Sequence, residues 1–255
     1  MKRIYSAVMS LSIWVTVFSL FACGGSSDDN DGIDNGNNTP LPISKRLSKV
    51  TKTNGANIID AEYIYDSQGR ITQVKNYYAY ESQGHIVNTY VYDNNSIIKT
   101  HYFTNETSWQ EIYTLENGRI VKVYDEDTKV TTVFNYDKGY LVNETESKGR
   151  EYNYIWSDGN LMEVYNGNKI LYTYEYTDII APQGFFPMGH NVDRYWGMSS
   201  YLGTTSKYLP SKYTEGQSVL IEYEWTVKDG LPIKMIENIK EAPTKGINTY
   251  TFEWK

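Results

Sequence analysis

The sequence predicts an all-β protein: an antiparallel meander of repeated β-hairpins forming a curved, barrel-like sheet, with one short helix near 192–202. Three observations predict it. The 255 residues include 25 Tyr and 6 Trp, which favour strands. A short pattern recurs, in which alternating aromatics run into an Asp, Asn or Gly turn and then a branched aliphatic. Toward the C-terminus, aromatic and polar residues alternate with a period of two, the spacing of a strand with one buried face.

The first element is residues 1–22. Lys2 and Arg3 are followed by an uncharged, mostly apolar run from Ile4 to Ala22, the pattern of a secretory signal peptide. Its length alone would also permit a transmembrane helix, which needs about 20 apolar residues. The residues at its C-terminal end favour cleavage. Leu20-Phe21-Ala22-Cys23-Gly24 resembles a bacterial lipobox, in which the cysteine thiol is acylated and the chain is cut just before it. Cys23 is the one cysteine of the chain, so it has no internal disulfide partner, and a free thiol would be exposed to oxidation outside the cytoplasm. Two or more acyl chains on it would hold the protein firmly in a membrane.

The second element is a tether, residues 23–42. After the lipid-bearing Cys23 it reads GGSSDDNDGIDNGNNTPLP, too polar to bury a core of its own. A flexible run of that length spans ~25 Å. The chain has 24 Lys and Arg against 31 Asp and Glu; without Lys2 and Arg3 the count is 22 against 31, a net −9. That balance argues against nucleic acid and against docking on anionic headgroups. The acids Asp28, Asp29, Asp31 and Asp34 close to Cys23 resemble the export signal of surface lipoproteins in Gram-negative gut anaerobes. The expected location is therefore the outer membrane, lipid-anchored and displayed on the cell surface, with the periplasmic face as the alternative.

The third element is a single hairpin-repeat domain, residues 43–255. YIYDSQGRITQV (63–74), YVYDNNSIIKTH (90–101), IYTLENGRIVKV (112–123), FNYDKGYLVNET (134–145), YIWSDGNLMEVY (154–165) and YEWTVKDGLPIKM (223–235) repeat one theme. The turn supplies the positive-φ positions of a tight hairpin. The aliphatic after it (Ile71, Ile97, Ile120, Leu141 or Leu161) starts the return strand, and these five recur 20 to 26 residues apart, a repeat architecture. Late strands show both faces. Ile170, Tyr172, Tyr174 and Tyr176 oppose Lys169, Leu171, Thr173 and Glu175. Ile221, Tyr223 and Trp225 oppose Glu222 and Glu224. Tyr250, Phe252 and Trp254 oppose Thr249, Thr251 and Glu253. Charges within the hairpins, at Lys75, Lys99 and Lys122, argue against a lipid-facing wall. The reading is a soluble curved sheet with aromatics packed on its concave side.

One segment departs from the repeat. In NVDRYWGMSSYLG (191–203), Tyr195, Met198 and Leu202 share a helical face, Asn191 or Asp193 can cap the start, and Gly203 can end it. The surrounding insertion, Ala181 to Tyr208, places Phe185, Phe186, Tyr195 and Trp196 beside His190, Asp193 and Arg194. Stacking rings beside planar hydrogen-bonding groups suit a sugar or peptide. Candidate ligand-binding residues are thus Tyr195, Trp196, Arg194, Asp193 and His190. A cap over the open sheet would use the same rings.

These residues also carry a resemblance. The lipobox, the Tyr-rich hairpins and the run Tyr201-Leu202-Gly203-Thr204-Thr205-Ser206-Lys207-Tyr208-Leu209-Pro210 resemble a family of lipoproteins of unknown function with a porin-like fold. The likeness spans about residues 45–255. It implies a barrel-like antiparallel sheet and no activity. The hairpins, at Tyr65-Asp66 and Gly69-Arg70-Ile71, also resemble the tyrosine-aspartate repeats of large secreted toxins.

Catalytic and metal motifs are not expected. His85, His101 and His190 do not fall at ligand spacing and no second cysteine is present. No phosphate loop or nucleophile elbow occurs. The acids of YDEDTK (124–129) read as a solvated turn. The sequence therefore points to a non-catalytic envelope lipoprotein without metal or cofactor, attached to the membrane through its lipid alone. Its expected role is a surface binding module for a glycan or other extracellular ligand. The alternative is a structural or assembly accessory of the envelope, with a protein partner.

Overall fold

The computed structural model describes residues 46–55, 57–77, 85–103, 108–182, 201–216, 219–241 and 246–255. They build sixteen strands: β1 (Leu47–Asn54), β2 (Asn57–Tyr65), β3 (Ile71–Tyr77), β4 (His85–Asp93), β5 (Ser96–Phe103), β6 (Ser108–Glu116), β7 (Arg119–Asp125) and β8 (Val130–Asp137), followed by β9 (Tyr140–Glu146), β10 (Glu151–Ser157), β11 (Asn160–Asn166), β12 (Lys169–Ile180), β13 (Tyr208–Glu215), β14 (Val219–Lys228), β15 (Leu231–Glu241) and β16 (Gly246–Trp254). Each strand pairs antiparallel with its neighbours in sequence, and β1 pairs with β16, so the sheet closes into a barrel. All six repeats of the sequence pattern are hairpins of this wall. Closure also leaves the sheet without a free edge, the usual site of strand-to-strand aggregation.

The tight turns follow from residue type. Asn117-Gly118, Lys138-Gly139, Asp158-Gly159 and Asp229-Gly230 all have positive φ at both positions, the geometry whose twist matches that of the flanking strands. These turns, with those after β2 and β4, mark one end of the barrel, the proximal end. The two chain ends of the barrel meet there, where Arg46 and Lys255 exchange backbone hydrogen bonds at 2.7 and 2.8 Å.

Bulges, not simple alternation, decide which side chains point inward. Beside the proximal end the register slips by one residue at Leu47, Ile71, Ile120, Leu141, Leu161, Pro210 and Pro232. In a bulged strand the first inward residue is followed by another three positions on: Ile71 and Val74, Ile120 and Val123, Leu141 and Glu144, Leu161 and Val164, all buried. Strand β5 keeps a continuous register on both sides. Its inward residues are therefore two apart, Ile97 and Lys99. This corrects the placing of Lys99 among the charges that keep the wall off lipid. It is buried inside the barrel, whereas Lys122, also two residues after its aliphatic but on a bulged strand, is exposed. The slip between Val164 and Tyr165 similarly corrects the faces read at the start of β12: Ile170 is exposed and Leu171 packs on the core.

The outer wall is polar and laddered. Glu253, Lys49, Glu62 and Lys75 face one another across β16, β1, β2 and β3. On the other side Lys212 reaches Glu175 at 2.7 Å and is paired in register with Glu222, which receives Lys240 at 3.2 Å. Between them, Asn135, Asn143 and Asn153 pass side-chain hydrogen bonds of 3.0 Å across β8, β9 and β10. Apolar residues on this face include a short row, Val91, Ile98 and Ile112, across β4, β5 and β6, and the exposed Ile64, Tyr102, Val133, Ile155 and Ile247 elsewhere.

Candidate functional site

The barrel interior has two halves of different chemistry. At the proximal end seven odd-numbered strands each begin with an aliphatic side chain that is at most 1% exposed: Leu47, Ile71, Ile97, Ile120, Leu141, Leu161 and Leu209. Even-numbered strands end there with an aromatic that donates a hydrogen bond to a backbone carbonyl of the preceding strand. The pairs are Tyr65 to Leu47 (2.8 Å), Tyr92 to Ile71 (2.8 Å), Tyr136 to Ile120 (2.7 Å), Trp156 to Leu141 (2.7 Å), Tyr176 to Leu161 (2.5 Å), Trp225 to Pro210 (2.7 Å) and Trp254 to Pro232 (2.7 Å). Every acceptor lies at a register slip. A bulge interrupts the ladder locally, and a buried carbonyl needs a donor, which the aromatic side chain supplies. On β6 the matching place is Leu115, beside the unslipped β5.

The run Tyr201 to Lys207 lies across this ring. Thr204 N donates to Gly139 O at 2.8 Å, Lys207 N to Gly159 O at 2.9 Å, and Leu161 N to Ser206 Oγ at 3.2 Å. Leu202 is fully buried. Gly203 has φ +86°, and a Cβ there would sit 2.3 Å from Gly139 O. At the other side Tyr201 meets Tyr92, whose ring lies under the Arg70 guanidinium at 4.5 Å. The proximal end is thus sealed by aliphatics, aromatics and a pinned strand of backbone.

The distal half of the interior is polar. Lys99 Nζ donates to Glu111 Oε2 at 2.8 Å, and the Tyr113 hydroxyl donates to the same oxygen at 2.5 Å. Tyr154 donates to Glu144 at 2.9 Å. Asn248 and Tyr250 both donate to Glu237. Each of these three buried carboxylates therefore holds a tyrosine. Burial alone would raise the Glu111 carboxyl, but Lys99 and the hydrogen bonds outweigh it and hold it well below its ordinary range. Burial and the Lys99 charge lower His101, so the imidazole is neutral at pH 7. Burial also lowers Lys52, against the pull of Glu237, and its ammonium lies 5.3 Å from the Tyr250 ring centre. Burial pushes the hydroxyls of Tyr63, Tyr90 and Tyr213 up, so they remain neutral donors. At the distal rim Trp109 stacks against His101 at 4.6 Å and Phe103 at 4.7 Å.

Residues Cys23, His190, Asp193, Arg194, Tyr195 and Trp196 lie outside the described residues, as does the expected helix apart from Tyr201 and Leu202. The described chain stops at Pro182 and resumes at Tyr201, beside the proximal end. The interior Lys99, Glu111 and His101 constellation escaped the sequence reading. The signal that could have found it is the Asn94-Asn95 turn, which lacks the glycine and the positive φ of the slipped two-residue turns; its hairpin keeps register and puts every second residue after Ile97 inside.

No family model matches the chain, and no curated protein matches it. Solved structures do. A porin-like protein from Bacteroides uniformis superposes with a TM-score of 0.63 at 16% identity, covering 82% of this chain and 96% of that one. A porin-like protein from Bacteroides vulgatus gives 0.51 at 14% identity, covering 82% and 98%. The fold is porin-like. At these identities the likeness is one of fold, and it agrees with the barrel-like sheet implied by the sequence resemblance.

In two respects the wall differs from a membrane-spanning one. Strands β3, β7, β9, β10 and β11 have seven residues each, or ~23 Å before tilt, short of an apolar band about 25 Å tall on tilted strands. The mid-strand charge ladders occupy the face that lipid would touch. The interior is closed as well: Val74, Tyr113, Glu144, Met235 and Tyr250 are fully buried, where a water-filled channel would wet its lining.

Proposed function

We propose that the chain is a non-catalytic envelope lipoprotein whose barrel stands outside the bilayer on a flexible tether and serves as a surface binding module. The observation that carries this reading is the outer wall. Lys212 lies between Glu175 and Glu222 in mid-strand, and Lys240 reaches Glu222 from the end of β15; a lysine facing lipid at the bilayer midplane costs about 2–4 kcal/mol. A barrel with such a wall needs another means of attachment, which the lipobox at Cys23 supplies. The buried carboxylates are tied to tyrosines and lysine rather than poised as an acid and base pair, which supports a non-catalytic role. Glycan or another extracellular ligand is the proposed partner, with the aromatic insertion at 190–196 as one contact region. The closed, aromatic-filled interior favours a second reading, a structural accessory of the envelope.

Exchange of residues 1–23 for an ordinary cleavable secretory leader tests the attachment. The native chain should take up labelled palmitate and fractionate with the outer membrane. The exchanged chain should take up none and leave in the soluble fraction. Retention of the exchanged chain in the outer membrane after an alkaline wash would mark a spanning barrel and overturn the reading.

A further inference from the structure

We propose that the distal rim over β3 to β6 is a binding site for a small, neutral, hydroxyl-rich molecule of the sugar class. This rests on the binding-module reading and gives it a location. Asn76 and Asn88 are 4% and 5% exposed, and the Oδ1 of each has no hydrogen-bond partner. Buried polar atoms are almost always paired in folded proteins, and two unpaired amide oxygens on adjacent strands, Asn88 opposite Val74 and Asn76 opposite Ile86, are unusual. The register places them: Asn88 faces His101 across β4 and β5, His101 faces Trp109 across β5 and β6, and Asn76 is the last inward residue of β3. The His101 Nε2 lies 3.3 Å from Glu111 Oε2 without a well-aligned hydrogen bond to it.

The chemistry of these groups selects the guest. A carboxamide can both donate and accept, and so can a neutral imidazole. A hydroxyl does the same, so a polyol satisfies all three whichever way each is turned. A cation would meet the Lys99 ammonium, next inward on β5, while the Glu111 charge is already committed to Lys99 and Tyr113. An anion would meet Glu111 and Asp125. The half-buried stack of His101, Trp109 and Phe103 supplies an apolar wall for the C–H face of a ring. Asn76, Trp109 and Phe103 stand within one residue of the distal strand ends, and Asn88 within ~10 Å of them.

The test uses the full-length lipidated protein in mild detergent, titrated with glucose, galactose, mannose and N-acetylglucosamine while tryptophan fluorescence is followed. At least one sugar should shift the signal saturably. Asn76→Leu and Asn88→Leu, close in size and without the unpaired amide, should weaken that sugar tenfold or more and leave the melting temperature unchanged or raised. A lowered melting temperature would show that the amides are paired within the fold, and would overturn the site. Equal affinity in the variants would also overturn it. Should a leucine variant fail to fold, Asn88→Ser is judged by the same tenfold criterion. A glycan array separates this proposal from the broader one. Array binding that survives Asn88→Leu overturns the rim site and leaves the module standing, and no sugar or glycan bound by the native protein overturns both.

Discussion

At the proximal end the strands of the barrel meet in aliphatic side chains, and their interrupted ladders are completed by aromatic hydroxyls and indoles. Toward the distal end the same strands turn Asn76, Asn88, Lys99, Glu111, Glu144 and Glu237 inward. The proximal arrangement gains from burial and satisfies its backbone, and both contributions add to stability. The distal arrangement is different. Desolvating a lysine and a carboxylate costs about as much as their attraction returns, so that half contributes little net stability while losing much if one partner is removed. The two ends thus divide the labour. One end fixes the barrel, and the other holds paired polar groups whose burial adds little net stability so long as the pairs are intact.

The largest expected effect lies in the distal half. Glu111→Gln leaves the Lys99 ammonium buried without its counter-charge and should cost about 3–5 kcal/mol in urea unfolding. The pair replaced together, Lys99→Met with Glu111→Leu, should be close to neutral. The pH dependence has a definite sign. The folded Glu111 carboxyl lies below its ordinary value of 4.5, so its contribution is full above that pH and is lost as pH falls below it, toward the depressed folded value. The stability gap between native protein and Glu111→Gln should therefore be constant near neutrality and shrink below about pH 4.5. A gap under ~1 kcal/mol at pH 7 would mean that the ion pair is not an isolated buried one.

An effect of similar or somewhat smaller size is expected at the sealed end. Leu141 is fully buried, and its carbonyl accepts from the Trp156 indole. Leu141→Ala should cost about 2–5 kcal/mol, without altering the pH profile below 4.5. If instead it cost little and changed that profile, the two halves would be coupled rather than separable.

The two halves were unequally legible in the sequence. Ile71, Ile97, Ile120, Leu141 and Leu161 are readable as post-turn aliphatics because each follows a turn signal, and all five take part in the proximal ring. Leu47 and Leu209 take part too, but no repeat turn precedes them. Period-two alternation identified the inward Tyr223, Tyr250 and Phe252 correctly, since their strands are regular near those residues. It failed at Lys99, because whether the second residue after the aliphatic points in or out depends on a one-residue slip, and a strict period of two makes no allowance for the three-residue spacing that a slip produces, as at Ile71 and Val74. The polar interior was invisible for the same reason. Asn76 and Glu144 point inward only because their strands carry a bulge. Residues 190–196 stood out by breaking the repeat, which marks a departure from the scaffold without showing what it contacts.

The smallest expected effects concern the aromatic hydrogen bonds of the sealed end. Each of the seven acceptor carbonyls lies where the register slips, whereas Leu115 stands beside β5, where Ile97 pairs without a slip on both sides. If the slip creates the need for a donor, removing a donor at a slipped strand should be felt, and adding one at the unslipped strand should not help. Trp156→Phe keeps an aromatic ring but leaves the Leu141 carbonyl without its partner, and should cost about 1–3 kcal/mol. Leu115→Tyr supplies a hydroxyl at the corresponding place on β6, facing the continuous β5–β6 ladder, and should bring no gain in the urea midpoint. A gain of ~1 kcal/mol from Leu115→Tyr, the net worth of a typical hydrogen bond, would show that the Ile97 carbonyl also lacks a donor. The aromatic bonds would then belong to the hairpin repeat itself rather than to the bulges.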